Sequence, residues 1–227
     1  METKAVGELF PLFIGASPET LEWLVSVAQE QDYSKDSAVI MESTWGKAVF
    51  FIVSGWVKIR SLYGNREVTL EILSRGDYFG EMAILDESPR ATEAIALSDV
   101  QLLSISAQRF LQMLLKDPAL HHRMLQLMVR RVHLFYHRFQ LYRQPPKFKL
   151  VKTLIFLAQT YGQPTEKGTK ILNIPHQDLA DLAGINFEET SRLLDRLQSK
   201  GWLEIEPSDR ALYLTNLKQL YHLAKQL

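Results

Sequence analysis

The stretch Gly76-Asp77-Tyr78-Phe79-Gly80-Glu81-Met82-Ala83-Ile84-Leu85, followed after a short gap by Pro89-Arg90-Ala91-Thr92, carries the most chemistry in the chain. Glycines stand at both ends of its turn-rich first part, so backbone amides can approach a ligand closely. Glu81 supplies an acceptor and Arg90 a forked cation for phosphate. An acidic group beside a phosphate-binding arginine suits a sugar hydroxyl next to a cyclic phosphate. The same two residues would also make an ordinary ion pair over a turn, and the residues alone leave both readings open.

Outward from this stretch the texture is β-rich between Asp32 and Ile105. Short runs at Ala48–Val53, Trp56–Leu62, Glu67–Leu73 and Val100–Ile105 are punctuated by Ser54-Gly55, Gly64-Asn65 and Gly76-Asp77. Several short strands at this spacing predict a small antiparallel β-roll or barrel. Before it, Ser17-Pro18-Glu19 starts a helix with serine as cap and proline in the first turn, and Leu21, Leu24, Val25 and Ala28 follow at helical spacing.

After the roll, Ser106 opens one helix and Asp117-Pro118 restarts it. No glycine or proline interrupts the segment to Arg143, which predicts a rod of about 39 Å. Leu125, Met128, Val132, Phe135, Phe139 and Tyr142 alternate by three and four, the spacing of a coiled-coil seam. Leu127, Leu134 and Leu141 form a second stripe. One stripe can face the roll and the other a second copy of the chain, so residues 118–143 are read as a parallel homodimer helix. Gln144-Pro145-Pro146 ends it as a hinge.

The rest is mostly helical. Lys149–Tyr161 is amphipathic, Pro164–Gly168 reads as a loop and Thr169–Ile174 as a short strand. Gln177–Ala183, the turn Gly184-Ile185-Asn186, and Phe187–Lys200 make a helix-turn-helix. Leu203–Glu206 and Ala211–Leu214 flank Pro207-Ser208-Asp209-Arg210 as a hairpin wing. Asn186 caps the second helix, with Glu189 as the other half of a capping-box-like pair. Thr190, Leu193, Leu194 and Leu197 fall inward. Glu188, Ser191, Arg192 and Asp195 form a polar stripe. Arginine can fork onto guanine, glutamate can accept from cytosine, and serine is adaptable. Arg196 and Lys200 reach only phosphates, and Gln177 can donate to the DNA backbone. A solvated face with a Glu188–Arg192 pair is the bland alternative.

These segments, in this order, resemble the CRP/FNR superfamily, the catabolite-activator type of bacterial transcription regulator, from roughly Phe10 onward. Gly-Glu-Met-Ala (80–83) with Pro-Arg-Ala-Thr (89–92) is similar to the phosphate-binding cassette of cyclic-nucleotide-binding domains. Gly-Ile-Asn-Phe-Glu-Glu-Thr-Ser-Arg-Leu-Leu (184–194) is similar to the family's recognition helix. The resemblance implies an α+β architecture: an antiparallel β-roll effector domain (1–117), a dimerisation helix and hinge (118–144), and a winged helix-turn-helix (145–227). It implies that Glu81 holds a ribose 2′-hydroxyl and that Arg90 pairs with a cyclic phosphate. Gly80, Met82, Ala83, Ala91 and Thr92 complete the cassette, and Ile59, Leu70 and Leu73 form an apolar wall. Glu188, Ser191 and Arg192 match the base-reading positions. The implied partners are double-stranded DNA with a pseudo-palindromic operator, with half-sites about one helical turn apart, and RNA polymerase. The implied effector is a cyclic nucleotide, cAMP foremost.

Two departures stand out. Where cAMP-responsive relatives place two hydroxyl residues against adenine, this chain aligns Phe135 and Tyr136. Phosphate and ribose capture is thus retained while base recognition has changed, which leaves cyclic di-GMP, another nucleotide or a vestigial pocket as alternatives. Phe187 stands where many cAMP-class relatives have arginine, and it is read as core. Glu-x-x-Ser-Arg resembles the oxygen-responsive branch and its TTGAT-like half-sites, but that branch holds an iron–sulfur cluster on cysteines.

Composition agrees. The 227 residues contain no cysteine, which excludes disulfides, thiolate metal sites and cysteine catalysis. Lys+Arg and Asp+Glu are 26 each, so net charge argues neither for nor against a nucleic-acid partner. No apolar run approaches a membrane span, and Met1-Glu2-Thr3-Lys4 is a poor signal peptide, so a cytoplasmic protein is expected. His133 and His137 are spaced as a metal pair but read as surface residues without a third ligand, and His121 is in phase with the seam. No nucleophile–base constellation points to an enzyme. The rival from another class is a nucleotide-binding protein that docks a further regulator.

Overall fold

The computed structural model describes residues 3–64 and 66–225, so Asn65 of the Gly64-Asn65 turn and the Met1-Glu2 start lie outside the described residues. In chain order the elements are α1 (Thr3–Leu9), α2 (Pro18–Val27), β1 (Gln29–Tyr33), β2 (Ala38–Ile40), β3 (Ala48–Ser54), β4 (Trp56–Tyr63), β5 (Arg66–Ser74), β6 (Tyr78–Phe79) and α3 (Met82–Leu85). Then come β7 (Glu93–Ala96), β8 (Val100–Ser106), α4 (Ala107–Lys116), α5 (Pro118–Leu141), α6 (Pro146–Tyr161), β9 (Gln163–Thr165), β10 (Gly168–Leu172), α7 (His176–Ala183), α8 (Phe187–Ser199), β11 (Glu204–Glu206), β12 (Ala211–Leu214) and α9 (Leu217–Ala224). The chain divides into two compact units, Met1–Phe135 and Tyr136–Leu227.

The first unit is a roll of two antiparallel sheets, ordered β1-β8-β3-β6 and β2-β7-β4-β5. Its cores follow from strand alternation. Phe50 and Ile52 of β3, with Val100 and Leu102 of β8, face inward between the sheets beside Ile40, Val57, Leu73, Phe79, Ala94 and Ala96. The intervening residues Val49, Phe51, Leu103 and Ile105 face the other way, onto a helical layer of Val6, Phe10, Phe13, Leu24, Phe110, Met113, Leu120 and Met124. Burial on both faces explains why β3 reads Ala-Val-Phe-Phe-Ile-Val without polar alternation.

Helix α2 starts as its sequence predicts, with the Ser17 hydroxyl accepting from the Thr20 amide. Asp117 caps α5: one carboxylate oxygen accepts from the amides of Ala119 and Leu120 at 3.0 and 3.1 Å. The other accepts from the Ser17 amide and the Thr20 hydroxyl at 3.0 and 2.8 Å, joining two helix starts a hundred residues apart. Along α5, Leu120 and Met124 are buried and Leu127 and Met128 pack against the helical core. Of the expected Leu127/Leu134/Leu141 stripe, Leu127 packs there and Leu134 does not, because the register facing the roll runs through Leu120, Met124 and Leu127. Leu134 is exposed, as are Leu125, Val132, Phe135, Phe139 and Tyr142 of the expected seam.

In the second unit, α6 packs on α7, α8 and α9, with Leu150, Leu154, Leu179, Leu194 and Leu220 buried. The sheet order is β11-β12-β10-β9. Gln163–Thr165 is therefore a strand paired with β10, where the sequence pattern suggests a loop from Pro164. Pro164 is tolerated because β9 is an edge strand. Gly184 closes α7 in the left-handed conformation at φ 61°, and the Ile185 amide returns to the Ala180 carbonyl.

Candidate functional site

The cassette begins where β6 pairs with β3, Phe50 opposite Phe79 and Phe51 opposite Tyr78. Gly80 follows at φ +90°, and a Cβ there would sit 2.8 Å from the Arg90 guanidinium and 3.1 Å from the Ala48 carbonyl. Glycine is thus what allows Arg90 to lie across the turn. Arg90 donates to the carbonyls of Gly80 and Ala48 at 3.2 and 2.9 Å. Its guanidinium is buried, and that burial lowers its pKa from the ordinary arginine value.

Glu81 immediately precedes the one-turn helix α3, and its residue is only 1% exposed. The possible ion pair with Arg90 does not form. Glu81 Oε1 instead accepts from Arg131 Nη1 of α5. Arg131 also lies 3.9 Å from the Glu71 carboxylate, donates at 3.4 Å to the Tyr78 carbonyl, and sits over the Tyr78 ring at 5.6 Å. Glu81 Oε2 is buried with no hydrogen-bond partner. Burial raises the Glu81 pKa above the ordinary carboxylate range, against the attraction of Arg131. Burial would lower the Arg131 pKa, but Glu81 and Glu71 hold it above the ordinary value. The result is a buried carboxylate short of one donor with two guanidiniums nearby, a set suited to an anionic ligand that also carries a hydroxyl.

Arg131 is not among the residues that the sequence motifs single out, because its partner is 50 residues away. A signal was present: it falls four residues after Leu127 and seven after Met124, a charge on the helix face that packs on the roll. Of the expected wall, Ile59 and Leu73 belong to the inter-sheet core. Leu70 does not join that cluster; Ile59 pairs with Glu71 and Arg60 with Thr69, leaving Leu70 in a bulge and half-buried. Ala83 is buried, Met82 and Ala91 are exposed, and Thr92 is half-buried. Phe135 and Tyr136 are exposed to 52% and 63%.

On α8 the inward set Thr190, Leu193, Leu194 and Leu197 is buried. Asn186 accepts from the Glu189 amide at 2.8 Å. The Glu189 carboxylate turns to Arg192 at 2.5 Å, so the ion pair is with the residue three positions back and not with Glu188. Glu188, Arg192, Arg196 and Lys200 are exposed. Lys200 lies over the Trp202 ring at 4.8 Å, and Gln177 donates to Asp181 at 2.9 Å. Ser191 is half-buried, its hydroxyl 3.1 Å from His176 Nδ1. Phe187, read as core, is 45% exposed, because the inward positions of α8 are already filled. His121, His133 and His137 are exposed. No helix among the described residues is long and apolar enough to cross a membrane.

Comparison with known proteins assigns both units. Residues 30–117 match the family model for the cyclic nucleotide-binding domain, and residues 149–223 that for the Crp-like helix-turn-helix domain. The chain is 30% identical over 203 residues to the cyclic AMP receptor protein of Thermus thermophilus, covering 87% of this chain and 89% of that one. It is 25% identical over 199 residues to the CRP-like cAMP-activated global transcriptional regulator of Mycobacterium tuberculosis, covering 86% and 88%. The solved structure of FixK2 from Bradyrhizobium japonicum shares the fold, with a TM-score of 0.75 at 20% identity, over 88% of this chain and 99% of that one.

Proposed function

This chain belongs to the CRP/FNR family of transcription regulators, and from that premise we propose that it is a cytoplasmic homodimer whose affinity for a pseudo-palindromic operator is set by a cyclic nucleotide, cAMP foremost. The observation that carries the effector reading is Glu81 Oε2, buried and without a hydrogen-bond partner. An unsatisfied buried acceptor costs about 1–3 kcal/mol, and a ribose hydroxyl would relieve it. Arg90 then takes the cyclic phosphate, exchanging its two carbonyl acceptors for an anion. The exposed stripe of α5 would pair with the same stripe of a second copy, and α8 would enter the major groove with Glu188, Ser191 and Arg192 at base edges. Because Arg131 contacts Glu81 from α5, a hydroxyl arriving at Glu81 changes what holds that helix. DNA affinity follows from the differential contacts of its two arrangements.

Calorimetric titration of the purified protein with cAMP, cGMP and cyclic di-GMP tests this, repeated on Arg90→Ala and paired with operator binding at fixed salt. Binding of cAMP that Arg90→Ala abolishes and that changes operator affinity is the expected result. Operator binding without response to any nucleotide would make the pocket vestigial. Nucleotide binding with no sequence-specific DNA binding would favour a protein that docks a further regulator.

A further inference from the structure

We infer that Phe187 is a specificity-determining residue that reads a thymine methyl group in the operator, with His176 as its positioning residue. The inference rests on the proposed DNA binding and names a base that it selects.

Phe187 is the first residue of α8 and keeps 45% of its surface exposed, although the helix buries Thr190, Leu193, Leu194 and Leu197 on its inner face. It lies one turn before Ser191 and next to Glu188, at the edge of the polar stripe. The ring is held from the side. The His176 imidazole, at the start of α7, is 6.4 Å from it, centroid to centroid, tilted by 43°. The same imidazole is within 3.1 Å of the Ser191 hydroxyl. One half-buried histidine therefore orients both an apolar and a polar side chain at the N-terminal end of α8.

The N-terminal residues of a recognition helix are those that meet base edges. A phenyl ring there has no donor or acceptor. Apart from flat C–H edges, the groups that base pairs present in the major groove are hydrogen-bonding groups, which the ring would desolvate without return. The one apolar group that protrudes among them is the C5-methyl of thymine, which gains from contact with an apolar surface. Ser191, adjacent and adaptable, can serve the polar edge beside it.

The test first selects an operator from a random duplex pool with the wild-type protein. Each half-site thymine is then replaced by deoxyuracil, which removes the methyl and keeps every hydrogen bond. The wild type is expected to lose about fourfold per substituted methyl at one half-site position, the worth of one buried methyl. Phe187→Ala should bind thymine and uracil equally there, while Phe187→Leu keeps part of the preference. His176→Ala and His176→Gln should both lower the thymine-over-uracil ratio, although glutamine can still hydrogen-bond Ser191. Thermal melting of each variant checks that the fold is intact.

A wild type indifferent to uracil at every position, or a selected operator without half-site thymine, overturns the inference. So does a Phe187→Ala protein that keeps the wild-type ratio. Arg192→Ala separates this from failure of the underlying reading. If Arg192→Ala changes base preference at another position, DNA reading stands and only Phe187 is wrong. If no operator is selected at all, both fall.

Discussion

Arg131 Nη1 donates to Glu81 Oε1, tying the carboxylate at the base of the cassette to the long helix α5. The cassette and the helix are therefore in direct electrostatic contact. Removing one partner of such a pair strands the other. Arg131→Ala is expected to cost about 3–5 kcal/mol at neutral pH, since breaking a buried pair leaves an uncompensated charge.

The pH dependence of that deficit has a definite sign. Burial raises the folded-state pKa of Glu81, and Arg131 opposes the rise. A raised carboxyl contributes stability that is present below its unfolded value, about 4.3, and is lost as pH rises through the folded value. Without Arg131 the folded value climbs further, so the deficit should shrink on acidification from pH ~7.5 toward ~5. Urea denaturation at both pH values measures it; an equal deficit at each would mean that Arg131 acts by packing alone.

Asp117 behaves in the opposite way. Burial pushes its carboxyl up, but hydrogen bonds from Ser17, Thr20, Leu120 and Ala119 outweigh it and hold the pKa below the ordinary range. Its contribution is full above the unfolded value of about 3.9 and is lost as pH falls through the folded one. Asp117→Asn should cost about 1–2 kcal/mol at neutral pH. Its melting curve should converge on the wild type only in the acid range below that value. Tm measured across pH 2–7 for both proteins decides the point, and parallel curves throughout would show that the cap does not depend on charge.

Phe139 is 80% exposed on α5, in line with Val132 and Phe135. A side chain so exposed contributes little to the fold of one chain, so Phe139→Asp is expected to leave helicity unchanged. If the stripe is the dimer seam, the variant should sediment as a monomer at micromolar concentration and lose operator affinity, because only one half-site can then be engaged. A variant that remains dimeric would put self-association on another surface.

Much of this architecture is legible where the pattern is local. The four runs read as strands lie inside β3, β4, β5 and β8, and the cap, glycine turn and inward leucines of α7 and α8 stand at their expected positions. What the pattern hides depends on partners distant in sequence. β1 is Gln-Glu-Gln-Asp-Tyr, with no apolar pattern, and is a strand because it pairs with β8. β2, β6 and β7 are too short to show a period, and their pairing is set by neighbours across the roll. In the cassette, residue types suggest the chemistry. Glu81 could not reveal a bond to an arginine fifty residues on, nor could Leu70 reveal its place in a bulge of β5.

The two-residue strand β6 has a consequence for how the cassette is aimed. Tyr78 packs in the helical core and Phe79 in the inter-sheet core, each beside its partner on β3; the Phe50 and Phe79 rings stack at 5.3 Å. A slip of one residue would exchange the two cores for both aromatics at once. Gly80 and Glu81 come next in the chain, so the direction in which the acid faces is dictated by two rings buried in the cores on either side of the sheet. Grafting residues 80–92 alone onto another roll would transfer the functional groups without their bearing; the graft has to begin at Tyr78 and bring Phe50 and Phe51 with it.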